Sequence, residues 1–417
     1  MRERHRTDGR RRRRAGAWAV PWVLACASVA AAQEAAPAVR GLDRGELARA
    51  VDEYLRVATV PAEPGAWERV LDRLTLFGDL RLRHESSLEL AGAPDRHRQH
   101  VRWRIGANYE LAEHLLAGAR LASGSADDPN SPHATFGDAL DGVELSLDRA
   151  FVTWRPKGVD GAWVTAGKFG HGFYANPVYG ELVWDGDVQP EGLLAGYRRE
   201  GTGAIREWTL RGGKYLLLEQ GGASEAAAIV AQAACGFDLG SGWSGTAALG
   251  YYDYGDVTPD GSATLLGDNN GNATVEEGGV VTDFESGFGI WNPILGLTTT
   301  AGSRPLSLGA EWMHNARAAN GADGGWAVGV AWGQAREEGD VRLYYQWQVV
   351  EQDAVFSPFA QDDFLFATHH RSHAFGVNYQ LADGIGLHLW ALVSAPEESE
   401  GDDSDGWRLR LDLNVKF

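Results

Sequence analysis

The sequence predicts an all-β chain: a transmembrane, antiparallel, up-and-down β-barrel of about sixteen strands behind a short N-terminal helical prefix. Three observations predict it. Apolar and polar residues alternate with period 2 over segments of about ten residues, the length of a tilted membrane strand. The connections between these segments sort into alternating short and long sets. Beyond the first 32 residues, no stretch approaches the ~20 apolar residues of a membrane helix.

The last segment, WRLRLDLNVKF, is the clearest. Trp407, Leu409, Leu411, Leu413, Val415 and Phe417 share one face, and Arg408, Arg410, Asp412, Asn414 and Lys416 share the other. A soluble sheet can alternate in this way, with its polar face in water. Here, however, the chain stops on an aromatic at the end of an unbroken alternating strand. The same pattern recurs at Val101, Trp103, Ile105, Ala107, Tyr109 and Leu111 against His100, Arg102, Arg104, Asn108 and Glu110. It recurs again at Val341, Leu343, Tyr345, Trp347 and Val349 against Arg342, Gln346 and Gln348. One face suits hydrocarbon and the other a wet lumen.

Taken in order, the expected strands are 75–85, 100–111, 115–123, 145–155, 162–169, 191–199, 204–217, 226–237, 243–254, 286–299, 304–315, 325–334, 340–350, 370–381, 384–394 and 406–417. An even number is what single-chain bacterial barrels require. The connections 112–114, 200–203, 238–242, 300–303 and 382–383 are short, whereas 124–144, 170–190, 255–285 and 351–369 are long. Short periplasmic turns against long external loops are the barrel arrangement. Two segments alternate weakly, 226–237 and 286–299. Near 145–155 the apolar phase slips between Leu147 and Ala150, which predicts a bulge.

The N-terminus sets the compartment. Arg2, Arg4, Arg6 and the arginines at 10–14 precede an apolar stretch at 15–31, and Ala30, Ala31 and Ala32 give a small-residue cleavage pattern. Residues 1–32 are therefore expected to be a secretory signal peptide, 33–74 a short periplasmic helical prefix, and 75–417 the barrel. Leu47, Val51, Tyr54 and Val57 lie near helical spacing; Pro61 and Pro64 interrupt before a second helical stretch at 66–74.

Of 38 basic and 57 acidic residues, eight arginines and two acids (Glu3, Asp8) lie in 1–32, so the remainder carries 30 against 55, near −25. That balance argues against nucleic acid as a partner and for acidic, solvated loops. Of the two cysteines, only Cys235 lies beyond residue 32, which leaves no intrachain disulfide. The expected setting is the outer-membrane lipid of a Gram-negative cell.

From Phe77 to Arg199 the chain resembles the putative porin family of Gram-negative outer membranes. The stretches that carry the resemblance are FGDLRLRHE (77–85), RQHVRWRIGANYEL (98–111), LLAGARLASGSADDP (115–129), LDRAFVTWRP (147–156), WVTAGKFG (163–170) and LVWDGDVQPEGLLAGY (182–197). The resemblance implies a channel. Many members carry a long coiled-coil prefix, which is short here. The C-terminal strand ending in Phe417 resembles the signal read by the barrel-assembly machinery. Porins of this strand number are often trimers, so a homotrimer is an open expectation.

In a pore the chemistry resides in the charge and width of the narrowest section. Alternation directs Asp79, Arg81, Arg83, Glu85, His100, Arg102, Arg104, Arg120, Arg149, Arg198, Arg342, Arg408 and Arg410 toward the lumen. Each arginine could instead belong to an inner-wall ion-pair lattice that only satisfies charge. The third external loop in order along the chain, 170–190, holds Tyr174, Tyr179, Glu181, Trp184, Asp185 and Asp187, with Glu191 directly after it. In sixteen-stranded porins the third loop commonly folds inward. The carboxylates of Glu181, Asp185, Asp187 and Glu191 are therefore expected to face the arginines of strands 1 and 2. The competing reading makes Asp185-Gly186-Asp187 a surface turn.

Asp127 and Asp128, and separately Asp268, Asn270, Asn272, Glu276 and Glu277, are oxygen-rich clusters without the Gly and Glu spacing of a calcium loop. His369 and His370 are adjacent, so on a strand they point to opposite faces, which disfavours one shared ion with His373. No catalytic motif, metal site or cofactor is expected. The short prefix lacks the size of the plug of an energised transporter, which points to passive diffusion of small hydrophilic solutes or ions. A structural or adhesive barrel with a blocked lumen is the alternative.

Overall fold

The computed structural model describes residues 66–88, 94–125, 128–137, 142–219, 225–258, 263–397 and 406–417. The expected signal peptide and most of the prefix lie outside these residues. Of the prefix, helix α1 (Ala66–Leu71) is described. The barrel unit runs from Arg73 to Phe417.

Its strands are β1 (Leu74–Leu88), β2 (Arg96–Ala112), β3 (Leu115–Ser123), β4 (Ala134–Thr135), β5 (Leu145–Trp154), β6 (Ala162–Lys168), β7 (Glu191–Glu200), β8 (Ile205–Leu218), β9 (Ala226–Gly240) and β10 (Trp243–Gly255). A short helix α2 (Ala263–Gly267) follows, then β11 (Thr274–Glu277), β12 (Val280–Phe284), β13 (Phe288–Ala301), β14 (Arg304–Asn315), β15 (Gly324–Gly333), β16 (Val341–Val350), β17 (His370–Ala382), β18 (Ile385–Pro396) and β19 (Gly406–Lys416). Sixteen of these are staves; each matches one of the expected segments to within a few residues, except that β2 begins four residues early. β4 is a two-residue patch on β2, and β11 with β12 is a hairpin within the loop 256–287.

Every stave pairs antiparallel with the next in sequence, and β19 pairs back onto β1, so the ring is closed. Closure is what a bilayer demands, because an open edge would leave N–H and C=O groups facing hydrocarbon. The seam extends to the last residue: Gly78 N–H donates to Phe417 O at 3.0 Å, and Phe417 N–H donates to Gly78 O at 3.1 Å. Position 78 has to be glycine, because a Cβ there would fall within the Phe417 ring.

Burial is inverted relative to a soluble sheet. On β16, Leu343 and Trp347 are 42% and 39% exposed, while Gln346 is 0% exposed. On β19, Leu409 is exposed and Asp412 is 0% exposed. Apolar side chains form the outer skin and polar ones the inner wall, as a membrane barrel requires.

The interior is not uniformly wet, which departs from the sequence expectation. Around β8, β9, β10 and β13 the inward rows carry a buried apolar cluster: Tyr215, Val230, Tyr252, Tyr254, Phe288 and Ile290 are all buried. They pack against residues of two loops that fold inside, 169–190 and 351–369, including Trp184, Phe356 and Phe359. Apart from Gln232 and Asn292, both faces of β9 and β13 are mostly apolar or small along the buried stretch, the physical reason these segments alternate weakly in sequence.

If the outer row meets hydrocarbon, Leu295→Arg near the middle of β13 should cost ~2–4 kcal/mol, the range for a midplane arginine. Leu295→Ala should cost far less. Urea unfolding in lipid vesicles reads the difference; equal effects would place this face in water.

Candidate functional site

The charged wall is laid down by register. Across β2, β1 and β19 the aligned rungs are Arg104–Asp79–Lys416, Arg102–Arg81–Asn414, His100–Arg83–Asp412 and Arg98–Glu85–Arg410. Opposite charges directly across from one another attract, and the chain uses this repeatedly. Arg83 grips Asp412 in a fork, Nε to Oδ1 at 2.8 Å and Nη2 to Oδ2 at 3.0 Å. Asp79 accepts from Arg104 Nε at 2.7 Å and lies 3.0 Å from Arg102 Nη2. Glu85 accepts from Arg410 Nε at 2.7 Å and is also paired with Arg98. Arg81 donates to the neutral Asn414 Oδ1 at 2.7 Å, with Asp412 3.6 Å away.

The expected bulge lies in β5. Register slips between Arg120 and Leu121, whose partners are Arg149 and Leu147, leaving Asp148 as the extra residue. An extra residue reverses the side-chain phase. Adjacent Asp148 and Arg149 can then both serve the inner wall: Asp148 pairs with Arg120, and Arg149 Nε donates to Gln189 Oε1 at 2.7 Å.

The loop 169–190 folds inward. Asp185 and Asp187 do form a tight turn, Asp187 N–H donating to Asp185 Oδ1 at 2.7 Å, but the turn sits inside the barrel. Asp187 accepts from Arg104 Nη1 at 2.9 Å and lies 3.5 Å from Arg102 Nη1, so this carboxylate meets the arginines of β2. Asp185 N–H donates to Phe359 O at 2.8 Å, which ties this loop to the other inward loop, 351–369. Tyr179 Oη donates to Asp363 Oδ2 at 2.5 Å and Gln361 Nε2 to Gly180 O at 2.6 Å. Arg342 Nη2 donates to Val178 O at 2.8 Å.

The second loop has its own anchors. Arg408 Nη1 donates to Asp363 O at 2.6 Å and Phe364 O at 2.9 Å, and Arg410 pairs with the Asp363 carboxylate. At the loop's start, fully buried Asp353 accepts from Ala273 N–H at 2.9 Å, Ser286 Oγ at 2.6 Å and Asn320 Nδ2 at 2.8 Å. Asn272, expected in an oxygen-rich cluster, is structural: its Nδ2 donates to Val355 O at 2.8 Å and its Oδ1 accepts from Ser357 N–H at 2.8 Å. Asp128 caps a turn by accepting from the N–H groups of Asn130 and Ser131, while Asp127 lies outside the described residues. Among the described residues no group of three or more ligands is placed for a metal.

Asp79, Arg81, Arg83, Arg102, Arg104, Arg120, Arg149 and Arg342 line one cavity of about 640 Å³ with Glu181, Asp185 and Asp187. Several residues expected at the site lie outside this cavity. Glu85 is buried behind the cavity beneath Arg98 and Arg410. Glu191 shares the outward phase of Leu193, and its side chain, 59% exposed, pairs with Lys168 at 2.8 Å. Being the first residue of β7, it follows strand alternation rather than the loop. Arg198 similarly pairs with Glu207 in an exposed position. Asp362 and Asp363 join the cavity unanticipated. The signal for them was the run of aromatics at 356, 359 and 364, too apolar for a solvated loop.

Burial is the main influence on the loop carboxylates. It pushes Glu181 up to about 7, helped by the charge of Asp363. Burial likewise raises Asp362 to about 7, again with Asp363 adding repulsion. Asp185 is driven well above the carboxylate range by burial and by neighbouring acids. Burial also acts on Asp363, but Arg410 and Arg83 outweigh it and hold that carboxyl below its ordinary value.

A closed antiparallel ring with an apolar outer skin, a polar inner wall and inward-folded loops defines a transmembrane β-barrel with the porin fold. Residues 90–277 match the family described as putative porin. Solved structures agree on the fold. The chain is similar to the high-pH structure of Pseudomonas putida OprB at 16% identity and TM-score 0.57, covering 85% of this chain and 97% of that one. It is also similar to Salmonella typhi OmpF in complex with daunomycin, at 11% identity and TM-score 0.51, covering 82% of this chain and 97% of that one. No curated protein matches the sequence.

Asp353→Ala would leave buried donors without an acceptor, at a cost of about 1–3 kcal/mol for each unsatisfied group. Amide exchange across 353–360 should then accelerate at least tenfold while exchange in β1 and β19 holds. Unchanged protection of the loop would show that Asp353 does not anchor it.

Proposed function

We propose that the protein is a passive diffusion channel for small hydrophilic solutes, with a constriction between the arginine wall and the inward loops that favours anions. The observation carrying this is the imbalance of charge in the cavity. Eight arginines and Lys416 line it, against six carboxylates. Arg149 donates to the neutral Gln189, and Arg342 donates to backbone carbonyls. The Asp412 carboxylate nearest Arg81 is already held by the fork from Arg83. Three of the six acids, Glu181, Asp185 and Asp362, sit where burial disfavours their charged form. The acidic outer loops oppose this preference, but water and salt screen them beyond a Debye length of about 8 Å, whereas an ion in the constriction sheds part of its hydration against the wall.

The ion-pair lattice and the selectivity wall are thus one structure: most arginines are paired, and the excess sets the sign. A blocked barrel is the second reading, favoured by the apolar cluster that the two inward loops build inside the ring. Assembly through the strand ending in Phe417 and association into a homotrimer complete the proposal. The closed seam at Gly78 and the family resemblance support the first of these, and the strand number supports the second.

Reconstitution into planar bilayers under a KCl gradient tests it. Stepwise currents with an anion-favouring reversal potential are expected; a sealed membrane at high protein load would favour the blocked barrel. Arg102→Ser with Arg104→Ser should shift the reversal potential toward cations by tens of millivolts, and no shift would make those residues purely structural.

The loop acids give a pH dependence of definite sign. Raised carboxyls are neutral at low pH and ionise near 7, so anion preference should fall between pH 6 and pH 8. Glu181→Gln should flatten that decline. Because the folded state holds the Glu181 proton more tightly than the unfolded chain does, this group's contribution to stability also falls as pH rises from about 4.5 to about 7.

A further inference from the structure

We infer that the barrel holds a second, chemically distinct solute site: a chamber for planar aromatic monocarboxylates on the far side of the loop 169–190 from the arginine wall. The inference deepens the channel reading by naming a solute class, and it rests on that reading for its transport role. The loop divides the interior. One face of it, with Tyr179, Asp185 and Asp187, borders the charged cavity. Its other face, with Phe169, Phe173 and Trp184, borders a cavity of about 590 Å³ walled by β5, β6, β7 and β8 and closed by β10, β13 and β14. Arg149, Glu181 and Gly186 border both.

The second chamber has a built recognition face. Trp163, Gly196 and Arg211 form one continuous rung across β6, β7 and β8. Glycine at 196 is required, since a Cβ there would fall within the Trp163 ring. The indole therefore lies flat across β7 and reaches Arg211, whose guanidinium carbon is 5.9 Å from the ring centroid. A hydroxyl pair, Thr153 and Thr165 at 2.9 Å, forms the adjacent rung, and Phe151 lies beyond it.

Arg211 is the second part of the argument. Among the described residues it has no carboxylate partner; its one hydrogen bond is long, 3.4 Å from Nη1 to Gln232 Oε1. That oxygen already accepts Tyr174 N–H at 2.7 Å. A half-buried guanidinium with such weak satisfaction presents an open fork to an incoming carboxylate. The chamber's other charges do not fill it. Glu311 stands four strand places away, roughly 15–20 Å around the wall, and is held by Asn292 Nδ2 at 3.0 Å. Glu181 lies on the dividing loop. Its other aromatic neighbour, His171, is kept neutral by burial, which lowers it to about 3, and bonds Tyr215 and Tyr252 rather than solute.

A ring stacked on the Trp163 indole with one carboxylate on Arg211 uses both parts of this face; the Phe151 ring, which lies over Gly118 of β3, borders the chamber away from it. A small hydrated anion gains nothing from the rings, and a neutral ring gains nothing from the arginine. The two chambers would thus divide solutes by chemistry within one barrel.

Titration calorimetry on the whole barrel in detergent micelles tests the site directly, with benzoate, acetate and benzyl alcohol as probes. Benzoate is expected to bind at least tenfold more tightly than either of the others. Arg211→Gln should reduce benzoate to the level of benzyl alcohol, and Trp163→Ala should reduce it to the level of acetate. Arg317→Gln, which removes an arginine paired with Asp253 outside both cavities, should bind benzoate as the parent does. If Trp163→Ala fails to assemble, as read by heat-modifiable migration, Arg211→Gln with Trp163→Phe carries the comparison. Equal binding of the three probes, or full benzoate binding by Arg211→Gln, overturns the site. KCl conductance of the same preparation separates the two claims. A sealed bilayer with benzoate binding intact removes the channel, and a conducting barrel without discrimination removes only the chamber.

Discussion

The rest of this structure depends on one constraint: inside a bilayer, every backbone N–H and C=O must find its partner within the protein. Sixteen antiparallel pairings meet it only because β19 returns to β1. Once the ring is closed, the outer surface belongs to lipid and the inner surface is the only place left for polar side chains. Arg83, Arg102, Arg120, Arg410 and Asp412 are buried for that reason, and exposed leucines and tryptophans mark the opposite face. The charged ladder follows from this geometry. Residues directly across a rung face the same lumen, so a wall of arginine is stable only when carboxylates are interleaved with it.

The inward loops use the same interior in another way. Loops 169–190 and 351–369 bury aromatics against one half of the wall and leave charge against the other. They are linked to each other at Asp185 and Phe359, at Gly180 and Gln361, and at Tyr179 and Asp363. The lumen becomes an asymmetric space in which the aromatic half supports the position of the polar half. The strain at Glu181, whose φ of 73° places a non-glycine residue in the left-handed region, falls where the two halves meet.

Much of this was legible in the sequence, and the limits have physical causes. Strands such as β16 and β19 meet lipid on one face and water on the other, so composition alone reveals their phase. β9 and β13 meet lipid outside and packed aromatics inside, which erases the contrast that periodicity detects. The slip near Leu147 foretold the bulge because a phase error within a strong pattern has few other causes. The inward placement of Asp187 was readable from the position of its loop in the order of connections. Glu191 was misplaced because the loop ends one residue earlier than its acidic composition suggests. The second inward loop was not recognised at all, since its position in the chain gives no cue and only its buried aromatics distinguish it from an ordinary external loop. Register across the seam, which joins Asp412 to Arg83, can be read only from coordinates.

That seam also governs timing. Arg83 and Asp412 are 329 positions apart, yet they share one fork. Until the final stretch of polypeptide arrives, the opening stave has one bare flank and its arginines have no counter-ions. Maturation must therefore wait for the whole chain, and the slowest event should be a late encounter between its two extremes rather than any local hairpin.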